Sequence, residues 1–129
     1  MRIFTKSHTL IVTTALILTA ATFSTSAHSA QSKKAAPVTY KQVQAIFDKA
    51  CIKCHQGKMP PAQMNLQNYE GTMKGNDHGA VVTASHPEKS LLYTLITSTG
   101  KKQMPPKKPL AATDIALIGK WIKAGAKAK

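Results

Sequence analysis

Apolar residues recur along this chain with a helical period in three places and with a strand period of useful length in none. Val43, Ile46, Phe47 and Ala50 share one face of a helix that begins after Thr39. Thr39 as N-cap with Gln42 three positions later spells a capping box, and Val38 with Val43 a hydrophobic staple. This helix runs directly into Cys51. Gln56 to Ala80 is rich in glycine and proline and is expected to be loop, with one helical turn around Asn68 to Met73. A third helix is expected to begin at Pro87, which suits a first helical position, capped by Ser85 or His86 and with Leu91, Leu92, Leu95 and Ile96 on its apolar face. After a second loop, Thr97 to Pro109, the last helix should span about Ala112 to Ala124. Ile115, Ile118 and Ile122 form its stripe, Leu117 and Trp121 lie beside it, and Gly125 provides the stop. The pattern predicts an all-α domain whose long loops wrap something that is not protein.

The first thirty residues follow a different logic. Arg2 and Lys6 give a basic start, Leu10 to Ala21 is a short apolar run, and Thr22 to Ala30 is mostly small and polar. That order is a secretory signal peptide, with cleavage expected after Ala27, Ser29 or Ala30. The apolar run is too short for a membrane span, which takes about 20 residues. No later stretch is apolar enough to span, and the only cysteines, Cys51 and Cys54, lie too far on to carry a lipid beside the signal. No stable membrane anchor is therefore expected. The organisation reads as residues 1–30 signal peptide, 31–37 a Lys- and Ala-rich flexible leader, and 38–129 one folded domain.

A mature chain of about a hundred residues builds only a modest core, so a buried cofactor is a natural staple. The formal charge of +13 falls to +11 without Arg2 and Lys6. A lysine-rich solvated surface explains part of it, and a partner with an acidic docking face is the functional expectation. Nucleic acid is not expected, because the chain is exported and has no compact basic motif.

Cys51-Ile52-Lys53-Cys54-His55 is a C-x-x-C-H motif, the attachment signature of c-type haem. Two thiols three residues apart on a helical turn can each add to one vinyl group of the same porphyrin. The histidine that follows is then carried beneath the ring to bind iron. Zinc would need four ligands, so His78 and His86 would have to complete a mixed site. A thioredoxin-like pair would need a βαβ pattern, which is missing, and a plain disulfide would not call for the adjacent histidine.

Met59, Met64, Met73, Met104, His78 and His86 are the candidates for a second iron ligand. Met59 follows His55 by four residues, which reach at most about 14 Å when extended, too little to round the porphyrin edge and return. Met64 and Met73 fall in a segment expected to cover the haem edge, and His86 sits at a helix start. Met104-Pro105-Pro106 lies in a distant loop that its prolines stiffen, so less entropy is lost in holding a sulfur on iron. Met104 is therefore the expected distal ligand. Leu66, Tyr69, Leu91, Leu95 and Trp121 are expected in the apolar shell.

The stretch from Val43 to Ala126 resembles the small class I cytochrome c domain of planctomycete type. Ile46, Phe47 and the C-x-x-C-H run carry the resemblance, with Met64-Asn65-Leu66-Gln67-Asn68-Tyr69-Glu70, Lys74-Gly75 and Pro87-Glu88-Lys89-Ser90-Leu91-Leu92-Tyr93. Met104-Pro105-Pro106 and Trp121-Ile122-Lys123-Ala124-Gly125-Ala126 make it specific. The resemblance implies a class I cytochrome c fold, three to four helices around one covalent haem c bound by Cys51 and Cys54, with His55 and Met104 as the axial iron ligands. Two departures stand out. Ala84-Ser85-His86 replaces a common Pro-Gly-Asp, and Asn76 replaces a second glycine after Gly75. The family usually has a loop carbonyl that accepts a hydrogen bond from the proximal histidine, and the change at Ala84 and Ser85 leaves open which carbonyl does so here. It also brings His86 in as a new potential ligand near the haem.

The expected function is one-electron transfer between periplasmic redox partners, not enzymatic catalysis. Lys53 and Lys58 flank the motif, and Lys101, Lys102, Lys107 and Lys108 flank Met104. Both groups are expected to border the same edge. The alternative is a haem enzyme or sensor, peroxidase-like, with an open or His-ligated distal site where His78 or His86 serves as the acid–base group.

Overall fold

The computed structural model describes residues 36–129, so the expected signal peptide and residues 31–35 of the expected leader lie outside the described residues. Four helices follow in order: α1 (Tyr40–Ala50), α2 (Tyr69–Lys74), α3 (Leu91–Thr97) and α4 (Ala112–Lys123). Short 3-10 turns punctuate the loops at Pro61–Gln63, Pro87–Lys89 and Gly100–Lys102. The described residues contain no strand, only an isolated bridge between Asn76 and Gly79. The fold is all-α.

α1 begins where the capping box placed it. The Gln42 carboxamide oxygen accepts from the Thr39 backbone N–H at 2.9 Å and from its hydroxyl at 3.3 Å. Val43 and Phe47 are fully buried, and the helix ends at Ala50 with Cys51 as its C-cap. α4 packs against both α1 and α3, with Ile118, Trp121 and Ile122 wholly inside. Gly125, at φ +98°, reverses the chain after it. The Ala126 N–H then donates to the Trp121 carbonyl at 2.9 Å, and the indole N–H of Trp121 donates to the Lys127 carbonyl at 2.8 Å. α2 is tied to the same tail by Tyr69, whose hydroxyl donates to the Ala126 carbonyl at 3.0 Å.

The third helix differs from its expected start. Pro87 opens only a 3-10 turn, and Ser90, at φ −83° and ψ 116°, leaves helical geometry before α3 begins at Leu91. The buried Ser90 hydroxyl donates to the His86 carbonyl at 2.9 Å and accepts from the Thr83 N–H at 2.9 Å. That satisfied hydroxyl fixes the break. Neither Ser85 nor His86 caps α3 through its side chain. Ser85 sits at φ +67°, where glycine is more comfortable, and its N–H donates to the Ile122 carbonyl at 2.8 Å.

Candidate functional site

The end of α1 supplies the first part of the site. The helical path continues one turn past Ala50, because Cys54 N–H and His55 N–H both donate to the Cys51 carbonyl, at 3.1 and 2.9 Å. This turn brings Cys51, Cys54 and His55 into the wall of one cavity of about 340 Å³. That volume lies within the roughly 300–1,000 Å³ common for ligand sites. Cys51 is partly buried there, and burial, with Cys54 close by as a smaller contribution, pushes its thiol up to about 11. Cys54 is exposed at the rim.

The segment after the motif folds back on His55. The Leu66 N–H donates to the His55 carbonyl at 2.9 Å, and His55 Nδ1 lies 3.2 Å from the Met64 carbonyl oxygen. A carbonyl can only accept, so Nδ1 carries the proton and Nε2 keeps the lone pair that a metal would take. The histidine's acceptor is thus the Met64 carbonyl, while the Ser85 N–H is engaged with the Ile122 carbonyl of α4. Gln44 of α1 holds this strap by donating to the Leu66 carbonyl at 3.1 Å.

Another part of the wall comes from α3 and the loop after it. The Met104 N–H donates to the Leu95 carbonyl at 3.0 Å, anchoring the loop to the end of α3. Met104, Pro105 and Pro106 line the cavity together with Leu91, Leu95 and Ile96. Most of the remaining wall is aliphatic, with Leu66 and Val81 among its members.

Four expected residues, Cys51, Cys54, His55 and Met104, therefore meet around one cavity although His55 and Met104 are far apart in sequence. The other candidates divide. Met64 also lines the cavity, its backbone serving His55. Met59 is 92% exposed, and Met73 packs against the protein core. His78 is exposed beside Asp77, and His86 is exposed with Nδ1 3.0 Å from a Glu88 carboxylate oxygen. Neither histidine lines the cavity, which corrects the expectation that His86 stands near the cofactor. Tyr69 and Trp121 are likewise not part of the wall. Both pack against Tyr40, with ring centroids 5.1 and 5.5 Å from it, Trp121 within the protein core and Tyr69 at its edge. Asn76, Val81, Leu92 and Ile96 line the wall without having been expected there. The apolar periodicity around α3 pointed to Leu92 and Ile96 as buried, but no pattern assigned Asn76 or Val81 to the site.

Residues 51–108 match the family described as Planctomycete cytochrome C. That match, over a little under half of the chain, supports a planctomycete-type cytochrome c domain. No curated protein and no solved structure matches it. A cytochrome c domain of this kind takes one covalent haem c with its iron, and the residues present fit that group. Two free thiols border an apolar cavity, an imidazole has its Nδ1 committed to a backbone carbonyl, and a thioether shares the same wall. The cytochrome c family as a whole serves haem-based electron transfer.

Proposed function

We propose that the protein is a periplasmic one-electron carrier whose haem c is held covalently by Cys51 and Cys54 and ligated by His55 and Met104. The observation that carries this reading is the shared cavity: a C-x-x-C-H turn and a proline-stiffened methionine loop line the same apolar wall. Haem iron supplies the one-electron couple when bound. The chain's contribution is to keep the same ligands in both oxidation states. The Met64 carbonyl fixes the His55 tautomer and ring orientation, which presents Nε2 as ligand. The Met104 thioether, neutral and weakly basic, favours the ferrous state, and the aliphatic wall excludes water to the same effect.

Export rests on the basic, apolar and small-residue order of residues 1–30. Among the described residues no helix is long and apolar enough to cross a membrane. For the partner, we infer an acidic docking face. Lys53, Lys58, Lys101, Lys102, Lys107 and Lys108 are exposed, and they flank the two segments that line the cavity. Electrostatic steering by such lysines raises encounter rates about tenfold or more at low salt. The rival reading, a peroxidase-like enzyme or sensor, needs an acid–base group on the open side of the haem. His78 and His86, the groups available for it, lie on the surface outside the cavity wall.

The decisive experiment is Met104→Ala in the purified haem protein. The weak far-red sulfur-to-iron absorption of the oxidised form should vanish. The potential should fall by on the order of 0.1 V, within the ~0.8 V range that axial ligands span. An unchanged spectrum and potential, with His86→Ala altering both, would establish bis-histidine ligation instead.

A further inference from the structure

The cavity wall has one polar side chain besides the motif's own cysteines and histidine: Asn76. Its surroundings fix its orientation. The backbone N–H of Asn76 donates to the Gly79 carbonyl at 2.9 Å, and the Gly79 N–H returns a bond to the Asn76 carbonyl at 3.1 Å. The His78 N–H donates to Asn76 Oδ1 at 2.9 Å. An N–H must find an oxygen, so this contact settles which end of the carboxamide is which. The Nδ2 amide, with two protons to donate, has no partner among the described residues.

Gly75 explains why the turn holds the amide so firmly. It adopts φ +85°, and a Cβ there would collide with the Gly79 carbonyl. The two backbones are packed directly against each other, so the Asn76 Cβ has little freedom to swing away. Asn76 is half-buried, at the boundary between the aliphatic wall and water. Lys74, Asp77 and His78, the titratable residues nearest in sequence, are all exposed, and no lysine lines the cavity.

A fixed neutral donor at the mouth of an apolar cavity suits an anionic acceptor on the occupant. Haem c keeps two propionate carboxylates at one edge after its vinyl groups are used. We propose that Asn76 Nδ2 donates a hydrogen bond to a carboxylate of the haem. This inference rests on the haem reading above. A bond to a charged acceptor is about twice as strong as a neutral one. A carboxylate therefore outcompetes the weakly accepting thioether of Met104 for the same donor. Dispersing carboxylate charge removes some of the stabilisation that this anion gives to ferric iron. Asn76 thus acts as a positioning residue that seats the cofactor edge and raises its potential.

The test uses the intact haem protein and two variants, Asn76→Gly and Asn76→Asp. The glycine variant is neutral and lacks the donor. The aspartate variant keeps an oxygen for the His78 N–H and so preserves the turn if glycine loosens it. The readouts are the midpoint potential, the propionate bending mode in resonance Raman spectra and the far-red sulfur-to-iron band. Asn76→Gly should shift the ferric–ferrous equilibrium toward ferric by about threefold, about 30 mV for a one-electron couple. It should also move the propionate mode and leave the far-red band in place. Asn76→Asp should lower the potential further and move the same mode. A propionate mode unmoved in both variants overturns the proposal, whatever happens to the potential or the melting temperature. A far-red band that shifts while the mode stays still would assign the donor to the sulfur and overturn it equally. Wild-type protein with no covalent haem would defeat the carrier reading itself, a result separable from any comparison of variants.

Discussion

The molecule has two apolar regions, and they are built on opposite principles. Around Trp121, side chains from α1, α2, α4 and the C-terminal tail close upon one another. Tyr40, Phe47 and Ile118 leave no opening there, and the polar ends are matched: the Trp121 N–H to Lys127, the Tyr69 hydroxyl to Ala126, and the Tyr40 hydroxyl to Thr72 at 2.9 Å. The second region, bounded by Cys51, Leu66, Leu95 and Met104, is aliphatic rather than aromatic and faces a cavity. Its side chains come mainly from loops and helix ends, and they are positioned by backbone bonds such as Met104 to Leu95 and Leu66 to His55. One region is finished by protein alone. The other has an apolar surface that becomes favourable to bury only against a flat, apolar cofactor. Damage to the first should therefore register as stability, and damage to the second as haem chemistry.

Trp121→Ala should give the largest stability effect. Truncating a fully buried indole costs about 3–5 kcal/mol through lost transfer energy and the cavity left behind. For a domain of this size that is a drop of well over ten degrees in melting temperature, since about 1 kcal/mol shifts it by roughly 4–8 °C. The comparison predicts that the haem absorption of the surviving folded fraction keeps its wavelength. A shifted far-red band in that fraction would show that the two regions are mechanically one.

Gly75→Ala probes the cavity side with a smaller cost. The added Cβ would strike the Gly79 backbone carbonyl, and φ +85° is strained for any residue with a side chain. At ψ −147° this backbone is one that essentially only glycine adopts, so the strain alone is roughly 1–3 kcal/mol, and displacement of the 75–79 turn adds to it. The loss should be accompanied by a change in potential, because that turn carries Asn76 in the cavity wall. Equal stability loss with no change of potential would mean that the turn is scaffold only.

The sequence made the protein-closed region easier to read than the cavity, for physical reasons. α1 and α4 announce themselves through a capping box, a 3.6-residue apolar period and a glycine stop, all local signals that packing reinforced. The C-x-x-C-H run is local too, and its turn formed as expected. What was not legible depends on direction in space. Tyr69 and Trp121 are apolar residues in motif-bearing segments, and nothing in a one-dimensional pattern says whether they face cofactor or core. The Met64 carbonyl is invisible in sequence because every residue offers a carbonyl, and only the fold brings one beside His55. Ser90 breaks the expected helix through a hydroxyl whose partners, Thr83 and His86, follow from the tertiary turn rather than from propensity.

Tyr40→Phe should give the smallest effect, and it separates the regions by pH. The Tyr40 ring is buried, and burial raises its hydroxyl pKa above the ordinary value of 10.0. The protonated phenol is thus favoured more in the folded state than in the unfolded one. The sign follows from linkage: this contribution is fully present below pH ~10 and is lost as the pH rises through the folded-state pKa. Phenylalanine removes the hydroxyl and with it that alkaline loss. Below pH 9 the variant should be about 1 kcal/mol less stable, the net worth of one hydrogen bond. Thr72 remains satisfied because its hydroxyl donates to the Asn68 carbonyl at 2.9 Å, which keeps the cost small. Above pH 10 the gap between the two proteins should narrow. Denaturant melts of both proteins at pH 7 and above pH 10 measure it, with the haem band recorded alongside. The band should be the same in both proteins at each pH, since Tyr40 belongs to the region that protein closes by itself. A stability gap that widens with pH would contradict the assigned cause of the raised pKa.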